Sequence, residues 1–504
     1  MKTSSLLPVL GLFPAILSAQ QAGERPNVIL LVADDLGYGD LSCYGAAEIK
    51  TPHTDSIARC GLRFTDAHAC ASTSTPSRYA LLTGEYPFRR AGTDVAAGDA
   101  GLIIKPEQFT MADLFKNNGY TTAAIGKWHL GIGSTTGRQD WNGQLDKDLS
   151  HLGFDYHYIM SATADRVPCV YIENGRVAHH DASAPIAVSY NHPFEGEPTA
   201  LSHPELLSKL RSSHGHNQAV VNGIGRIGYM KGGGKALWQD ENIADSITHH
   251  AVQFIERHAS EPFFLYLCTN DIHVPRYPHE RFRGRSSMGL RGDAILQFDW
   301  TVGEIAKALQ RLGLSDNTLL IITSDNGPVL DDGYADEAEE RIGAHRPGGH
   351  WRGGKYSAFE AGSAVPFIVS WPRGLQSKGT AHALVSHIDL IASFATLLHT
   401  ALPASAAPDS RNHLATYLGA SSASCPYAIK MAANRTLSLR TEQWKYIEPR
   451  GGAPMVPWGP KIETGYLDRP QLYNIKADPS ERHNLATQYP DTVAQLKSLL
   501  PVSH

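Results

Sequence analysis

The chain has 504 residues, of which 42% are hydrophobic and 19% charged, and its formal net charge is −5 at pH 7. That length exceeds one small core and asks for a large domain with a smaller one beside it, in an ordinary globular composition. The charge gives no electrostatic basis for a nucleic-acid or anionic-membrane partner.

At the start, Lys2 precedes an apolar stretch from Leu6 to Leu17, then Ser18-Ala19-Gln20-Gln21. This is the pattern of a signal peptide, residues 1–19, cut near Ala19. Pro8, Gly11 and Pro14 interrupt the run, which is shorter than the ~20 apolar residues that span a bilayer. No cysteine stands nearby for a lipid anchor, and no later segment reads as a span. The expectation is an exported protein, periplasmic or secreted, without membrane insertion. Cys43, Cys60, Cys70, Cys169, Cys268 and Cys425 form no CxxC pair, which argues against a zinc ribbon or thioredoxin-like site and leaves their pairing open.

Short, unbroken apolar runs then recur, each stopping at polar residues. Val28–Val32 runs into Asp34-Asp35, Thr121–Ile125 into Gly126-Lys127-Trp128-His129, Phe263–Leu267 into Asn270-Asp271-Ile272-His273, and Leu319–Ile322 into Ser324-Asp325-Asn326. Runs without alternation predict strands buried on both faces of a largely parallel sheet. Helical patterns at Ile243 to His258 and Ala294 to Leu312 make the organisation α/β. In such sheets ligands bind beyond the carboxyl ends of the strands, where these four runs gather Asp, Lys, His and Asn. A helix-like Ile388 to Leu398 follows. An Ala/Ser/Pro-rich stretch, 401–425, reads as a linker or surface crossing. Alternating segments at Leu437–Arg440 and Trp444–Ile447 and a closing helix near Pro490 to Leu500 predict a small α+β unit. The boundaries are thus 24–402 for a catalytic domain and 403–504 for the smaller one.

The most specific stretch is Ser74-Thr75-Pro76-Ser77-Arg78, running on to Thr83-Gly84. A hydroxyl residue before Pro76 suits a helix start, and Gly84 can end the helix. Its free N–H groups would face an anion, with Arg78 one turn along on the same side. An ordinary capped helix fits the same residues.

This stretch resembles the sulfatase signature, in which Cys or Ser is followed by Pro at the second place, Arg at the fourth and Thr-Gly at the ninth and tenth. Ser74 satisfies every place; Cys70 and Ser72 do not. Pro26-Asn27-Val28 with Asp34-Asp35-Leu36-Gly37-Tyr38-Gly39-Asp40 resembles the family's opening strand and metal loop, and Gly126–Gly131 its second motif. Leu472–Ile475, Asp478-Pro479, Glu481 and Asn484-Leu485 resemble its C-terminal signature. The resemblance implies an alkaline phosphatase-like fold: a large mixed, mostly parallel α/β sheet flanked by helices, and a short C-terminal antiparallel sheet with a helix.

It also implies the site. Asp34, Asp35, Asp325 and Asn326, with Ser74, would hold a metal; hard oxygen donors suit Ca2+, with Mg2+ the second choice. Ser74 would be oxidised to formylglycine by a serine-type maturase, which points to a bacterial protein. A plain serine would be sulfated and remain so, because that ester hydrolyses slowly. The hydrated aldehyde has a second hydroxyl that expels sulfate. Lys127, Lys355 and Arg78 would neutralise the sulfate oxygens, while His129 and His273 serve as base and acid. Two rivals remain: a phosphatase or phosphodiesterase of the same superfamily, and an inactive glycan-binding relative.

For the substrate, a sulfated carbohydrate, the candidates near these motifs are Arg352 and Trp351, the acidic stretch Asp331 to Glu340, and His179-His180. The last pair lies in a long insertion from about 135 to 240. That insertion, with Ser189–Pro193 and Ser213-His214-Gly215-His216, resembles that of bacterial enzymes acting on sulfated galactose. The expectation is exo removal of sulfate from a terminal galactose-type sugar of host glycans, 3-O-sulfated galactose among them.

Overall fold

The structure, a computed structural model, describes residues 25–501. The predicted signal peptide, residues 1–19, lies outside them. No described helix is long and apolar enough to cross a membrane.

Ten strands form the main sheet: β1 (Asn27–Ala33), β2 (Leu62–His68), β3 (Thr121–Lys127), β4 (Tyr156–Met160), β5 (Tyr171–Glu173), β6 (Arg176–Val177), β7 (Phe263–Cys268), β8 (Thr318–Ser324), β9 (Phe367–Ser370) and β10 (Gly379–Ser386). Their order is β10-β2-β9-β8-β1-β7-β3-β4-β5-β6. The central five, β8 to β4, are parallel. The antiparallel β9 joins β8 to β2 and so leaves β2 running with that set. All residues of β1, β7 and β8 are buried, as their unbroken apolar runs require.

Helices α1 (Pro52–Cys60), α2 (Ser74–Thr83), α3 (Met111–Asn117), α4 (Ile243–Arg257), α5 (Gly289–Arg311) and α6 (Leu390–Leu397) flank the sheet. They pack as two groups, α1 with α5 and α4, and α2 with α3 and α6. The 401–425 stretch is more than a crossing: Leu414–Tyr417 is one helical turn, and buried Tyr417 packs near Phe64 and Phe367. An aromatic anchor there overrides the loop-like composition around it.

The C-terminal sheet is an antiparallel meander of β11 (Ala428–Met431), β12 (Leu437–Arg440), β13 (Trp444–Ile447) and β14 (Gln471–Asn474), with α7 (Pro490–Leu499) against β13. Two of the contacts that fasten it to the main unit bear on the site. The Ser72 N–H donates to the Met431 carbonyl at 2.9 Å, two residues before Ser74. Lys430, Arg440 and Lys445, one from each of the first three strands, converge on buried Glu360 at 2.7, 3.2 and 2.8 Å. Glu360 lies five residues after Lys355, so the small sheet braces that loop.

Candidate active site

Register assembles the centre. Ala33 pairs with Ser324, so Asp34 and Asp325 leave adjacent strands side by side. Cys268 of β7 pairs with Val32 and Gly126, bringing the ends of β1, β7 and β3 level. Ser74 opens α2, whose residues are all buried, and no side chain caps that helix start. Gly84, at φ +64°, ends it. The helix N-terminus therefore keeps unpaired N–H groups where Thr73 and Ser74 line a cavity of about 700 Å3.

Around the Ser74 hydroxyl the contacts are short. Lys127 Nζ lies 2.5 Å from both Ser74 Oγ and Asp34 Oδ1. Ser74 Oγ donates to Asp325 Oδ2 at 2.5 Å and lies 3.3 Å from Asp34 Oδ1 and 3.5 Å from Asn326 Oδ1. Arg78 grips Asp325 Oδ2 through Nε and Nη2 at 2.9 and 2.8 Å. Asn326 Nδ2 donates to Asp35 Oδ1 at 2.7 Å. Lys355 Nζ reaches Asp35 and Asp332 at 2.8 and 3.0 Å.

Burial dominates the electrostatics. It pushes Asp34 up to about 8 against the pull of Lys127, with Asp325 and Asp35 adding to the rise. Asp34 Oδ2 is buried and has no hydrogen-bond partner. Crowded carboxylates and an orphaned oxygen fit a hard cation held by Asp34, Asp35, Asp325 and Asn326. His273 also approaches Asp35, at 3.8 Å.

Both histidines are held neutral. Burial, then Lys127, lowers His129 well below the usual range; burial, then Lys355 and Lys127, does the same to His273. His273 Nδ1–H donates to its neighbour's carbonyl, Val274 O, at 2.7 Å, leaving Nε2 for the site. His129 Nε2–H donates to Ala96 O at 3.0 Å, leaving Nδ1 buried without a partner. Asp332 and Asp35 outweigh burial at Lys355 and hold its ammonium well above the usual range.

Ser74, Arg78, Lys127, His129, His273, Lys355, Asp34, Asp35, Asp325 and Asn326 thus converge on one centre. The four sugar-site candidates do not line the cavity. Arg352 is bound to Glu463 at 2.8 and 2.6 Å and to the Glu481 carbonyl at 2.6 Å, and it lies over the Phe359 ring. Trp351 packs beside Tyr38 and His350. His179 and His180 follow β6, with His180 on Asn142 Oδ1 at 3.1 Å. The acidic stretch contributes Asp332, which holds Lys355 and accepts the Tyr356 hydroxyl at 2.9 Å.

Sequence reasoning missed most of the walls: Asp94, Val95, Asp165, Arg166, Tyr356 and Trp458. Asp165 accepts from Arg166 at 3.0 Å and from His216 Nε2 at 3.0 Å. The 213–216 motif of the insertion does reach the cavity, through His214 and His216. An Asp-Arg pair or a lone tryptophan in a loop carries no periodic signal, so only folding reveals where they stand.

A nucleophile-bearing helix start, two buried lysines and an arginine about an anion pocket, on an alkaline phosphatase-like sheet, define a sulfuric ester hydrolase. The comparisons give the same answer: the model of the family described as Sulfatase matches residues 26–400, and the chain belongs to the sulfatase family. It is 52% identical to an N-acetylgalactosamine-6-O-sulfatase of Bacteroides thetaiotaomicron, over 95% of this chain and 93% of that protein. Human arylsulfatase A is 31% identical over 77% of this chain and 67% of its own. A solved protein from work on the metabolism of multiple glycosaminoglycans by B. thetaiotaomicron superposes with a TM-score of 0.92 at 52% identity, covering 94% of this chain and 98% of that one.

Proposed function

We propose that this enzyme removes the 6-O-sulfate from terminal N-acetylgalactosamine units of glycosaminoglycan-type chains outside the cytoplasm, using a formylglycine made from Ser74 by a serine-type maturase and a bound calcium ion. The observation that carries the chemistry is Ser74 Oγ within 2.5 Å of Lys127 Nζ at the floor of a deep cavity. The sugar follows from the 52% identical relative, whose name specifies that sugar and position and whose length this chain nearly spans. The insertion's resemblance implies 3-O-sulfated galactose instead, and its 213–216 motif lines the cavity, so that sugar is the second reading.

Asp34, Asp35, Asp325 and Asn326 would hold calcium, which when bound neutralises negative oxygens beside the nucleophile. Formylglycine at position 74, once hydrated, would supply one hydroxyl to take the sulfuryl group and a second to expel sulfate. Lys127 favours the deprotonated nucleophile, and Arg78 fixes Asp325 beside it. Lys355 offsets the charge of the sulfate oxygens. His129, with Nδ1 unpaired, is positioned to accept a proton. His273 presents Nε2 and takes up a proton as the anionic substrate offsets Lys355 and Lys127, then delivers it to the leaving alcohol.

Sulfate release should be measured on 6-O-sulfated N-acetylgalactosamine, 6-O-sulfated N-acetylglucosamine and 3-O-sulfated galactose. The first is expected to be the best substrate. Turnover of the glucosamine ester with none of the galactosamine ester would discard the sugar assignment.

A further inference from the structure

We propose that Trp458 is the platform of a second sugar subsite at the mouth of the active-site cavity, so that the preferred substrate is a sulfated disaccharide or longer chain. The ring next to the sulfated one would stack on the indole. The proposal rests on the carbohydrate sulfatase reading above and extends it to the neighbouring sugar.

The sequence around it builds a rigid arm. Pro454, Pro457 and Pro460 bracket Trp458-Gly459, and proline limits backbone freedom. The hairpin-like loop is closed by the Val456 N–H on Ile462 O at 2.9 Å and the Thr464 N–H on Pro454 O at 3.0 Å. The loop seats against the insertion: a Cβ on Gly459 would fall 2.2 Å from His214 Cε1. At its tip Trp458 is 48% exposed, while most large apolar side chains are buried. Seven large hydrophobic side chains are exposed among the described residues, and two of them, Trp458 and Val95, line this one cavity. Apolar surface gathered at a cavity mouth marks a binding surface, whereas scattered exposed residues need no explanation.

The indole is also tied to the chemistry. It meets the Tyr356 ring edge-to-face, with centroids 4.9 Å apart at 84°. Tyr356 directly follows Lys355 and is fixed on both sides. Its hydroxyl donates to Asp332 at 2.9 Å, its N–H donates to Ser72 O at 2.8 Å, and its carbonyl accepts the Tyr466 hydroxyl at 2.5 Å. The platform thus stands at a set place relative to the sulfate-binding lysine. A cavity of about 700 Å3 is in the range that holds a drug-sized ligand, which leaves room beyond one pyranose ring. A pyranose face rich in C–H groups suits an aromatic ring, as apolar burial on a π face. Arg166, Asn217 and Gln218, which line the same cavity, supply polar partners for hydroxyls. Arg166 makes all of its side-chain hydrogen bonds through Nη1.

The test compares the mature full-length enzyme with Trp458→Ala and Trp458→Phe on three substrates: a sulfated disaccharide, the matching sulfated monosaccharide and a small aryl sulfate. Trp458→Ala is expected to lower kcat/KM on the disaccharide about 10-fold, mostly through KM, and to leave the other two within about 2-fold. Trp458→Phe should keep most of the disaccharide activity. An equal loss on all three substrates, or no loss on the disaccharide, would overturn the subsite while sugar sulfates are still cleaved. An enzyme that cleaves the aryl sulfate and no sugar sulfate would instead overturn the carbohydrate reading beneath it. Unfolding temperatures of the variants confirm that each is folded.

Discussion

Arg352 donates from Nη1 to the backbone carbonyl of Glu481 at 2.6 Å, and the Glu481 carboxylate accepts the Glu360 N–H at 2.7 Å. The family's C-terminal signature is therefore joined through Glu481 to the loop that carries Lys355. Arg352→Ala removes the paired bonds to Glu463, the bond to Glu481 and the contact with Phe359. Arg352 and Glu463 are part-exposed, so the cost is about 1–2 kcal/mol and the melting temperature falls. Losses in kcat/KM should be equal on a sulfated sugar and an aryl sulfate. A selective loss on the sugar would return Arg352 to the substrate site.

Ser74 tests the nucleophile. From a host with a serine-type maturase, the peptide containing Ser74 should be lighter by two hydrogens and should react with carbonyl reagents. Ser74→Ala should cut turnover by about 10^3-fold or more without changing the unfolding temperature greatly, since one small side chain replaces another. Full activity in that variant would sink the mechanism.

Removing calcium with a chelator should abolish activity and destabilise the protein, because Asp34, Asp35 and Asp325 then lose their common counter-ion. At an ion concentration about 1,000-fold above Kd, binding contributes about 4 kcal/mol. Calcium should restore both properties. Asp325→Ala should lose both and should not respond to the ion. A chelated enzyme that kept its activity would point to a different metal-independent centre.

Acid stability should depend on His157, whose partners are Asn174, Gly175 and Asp148 rather than the metal-site carboxylates. Burial lowers it from 6.5 to about 4, and its Nε2 accepts the Gly175 N–H at 2.9 Å, which needs the neutral ring. The unfolded chain binds that proton first, so this contribution is complete above about 6.5 and is lost as pH falls toward about 4. The shift corresponds to roughly 3 kcal/mol. His157→Gln should flatten the fall in unfolding temperature between pH 7 and pH 4.5 (about the window set by these values). An unchanged slope would place the acid sensitivity elsewhere.

The four strand ends and the Ser74 helix were legible because each is a local signal: an apolar run that stops, or a hydroxyl placed before Pro76 and Arg78. Lys127 and His129 followed for the same reason, as alternating residues at and just past the end of β3. Arg352 misled because chain distance says nothing about direction. Gly353, at φ +88°, bends the backbone between it and Lys355, and the two side chains serve different partners. Most of the cavity walls were illegible because Asp165, Arg166 and Trp458 come to one cavity only after long segments have packed.

The floor of the cavity hangs on strand ends inside the main sheet, while its rim comes from the insertion and the 453–464 loop, which touch each other at His214 and Gly459. Changes in these outer segments leave the strand register untouched. Such an arrangement lets a lineage retool which sugar it accepts, one loop at a time, while inheriting the sulfate-cleaving machinery unaltered.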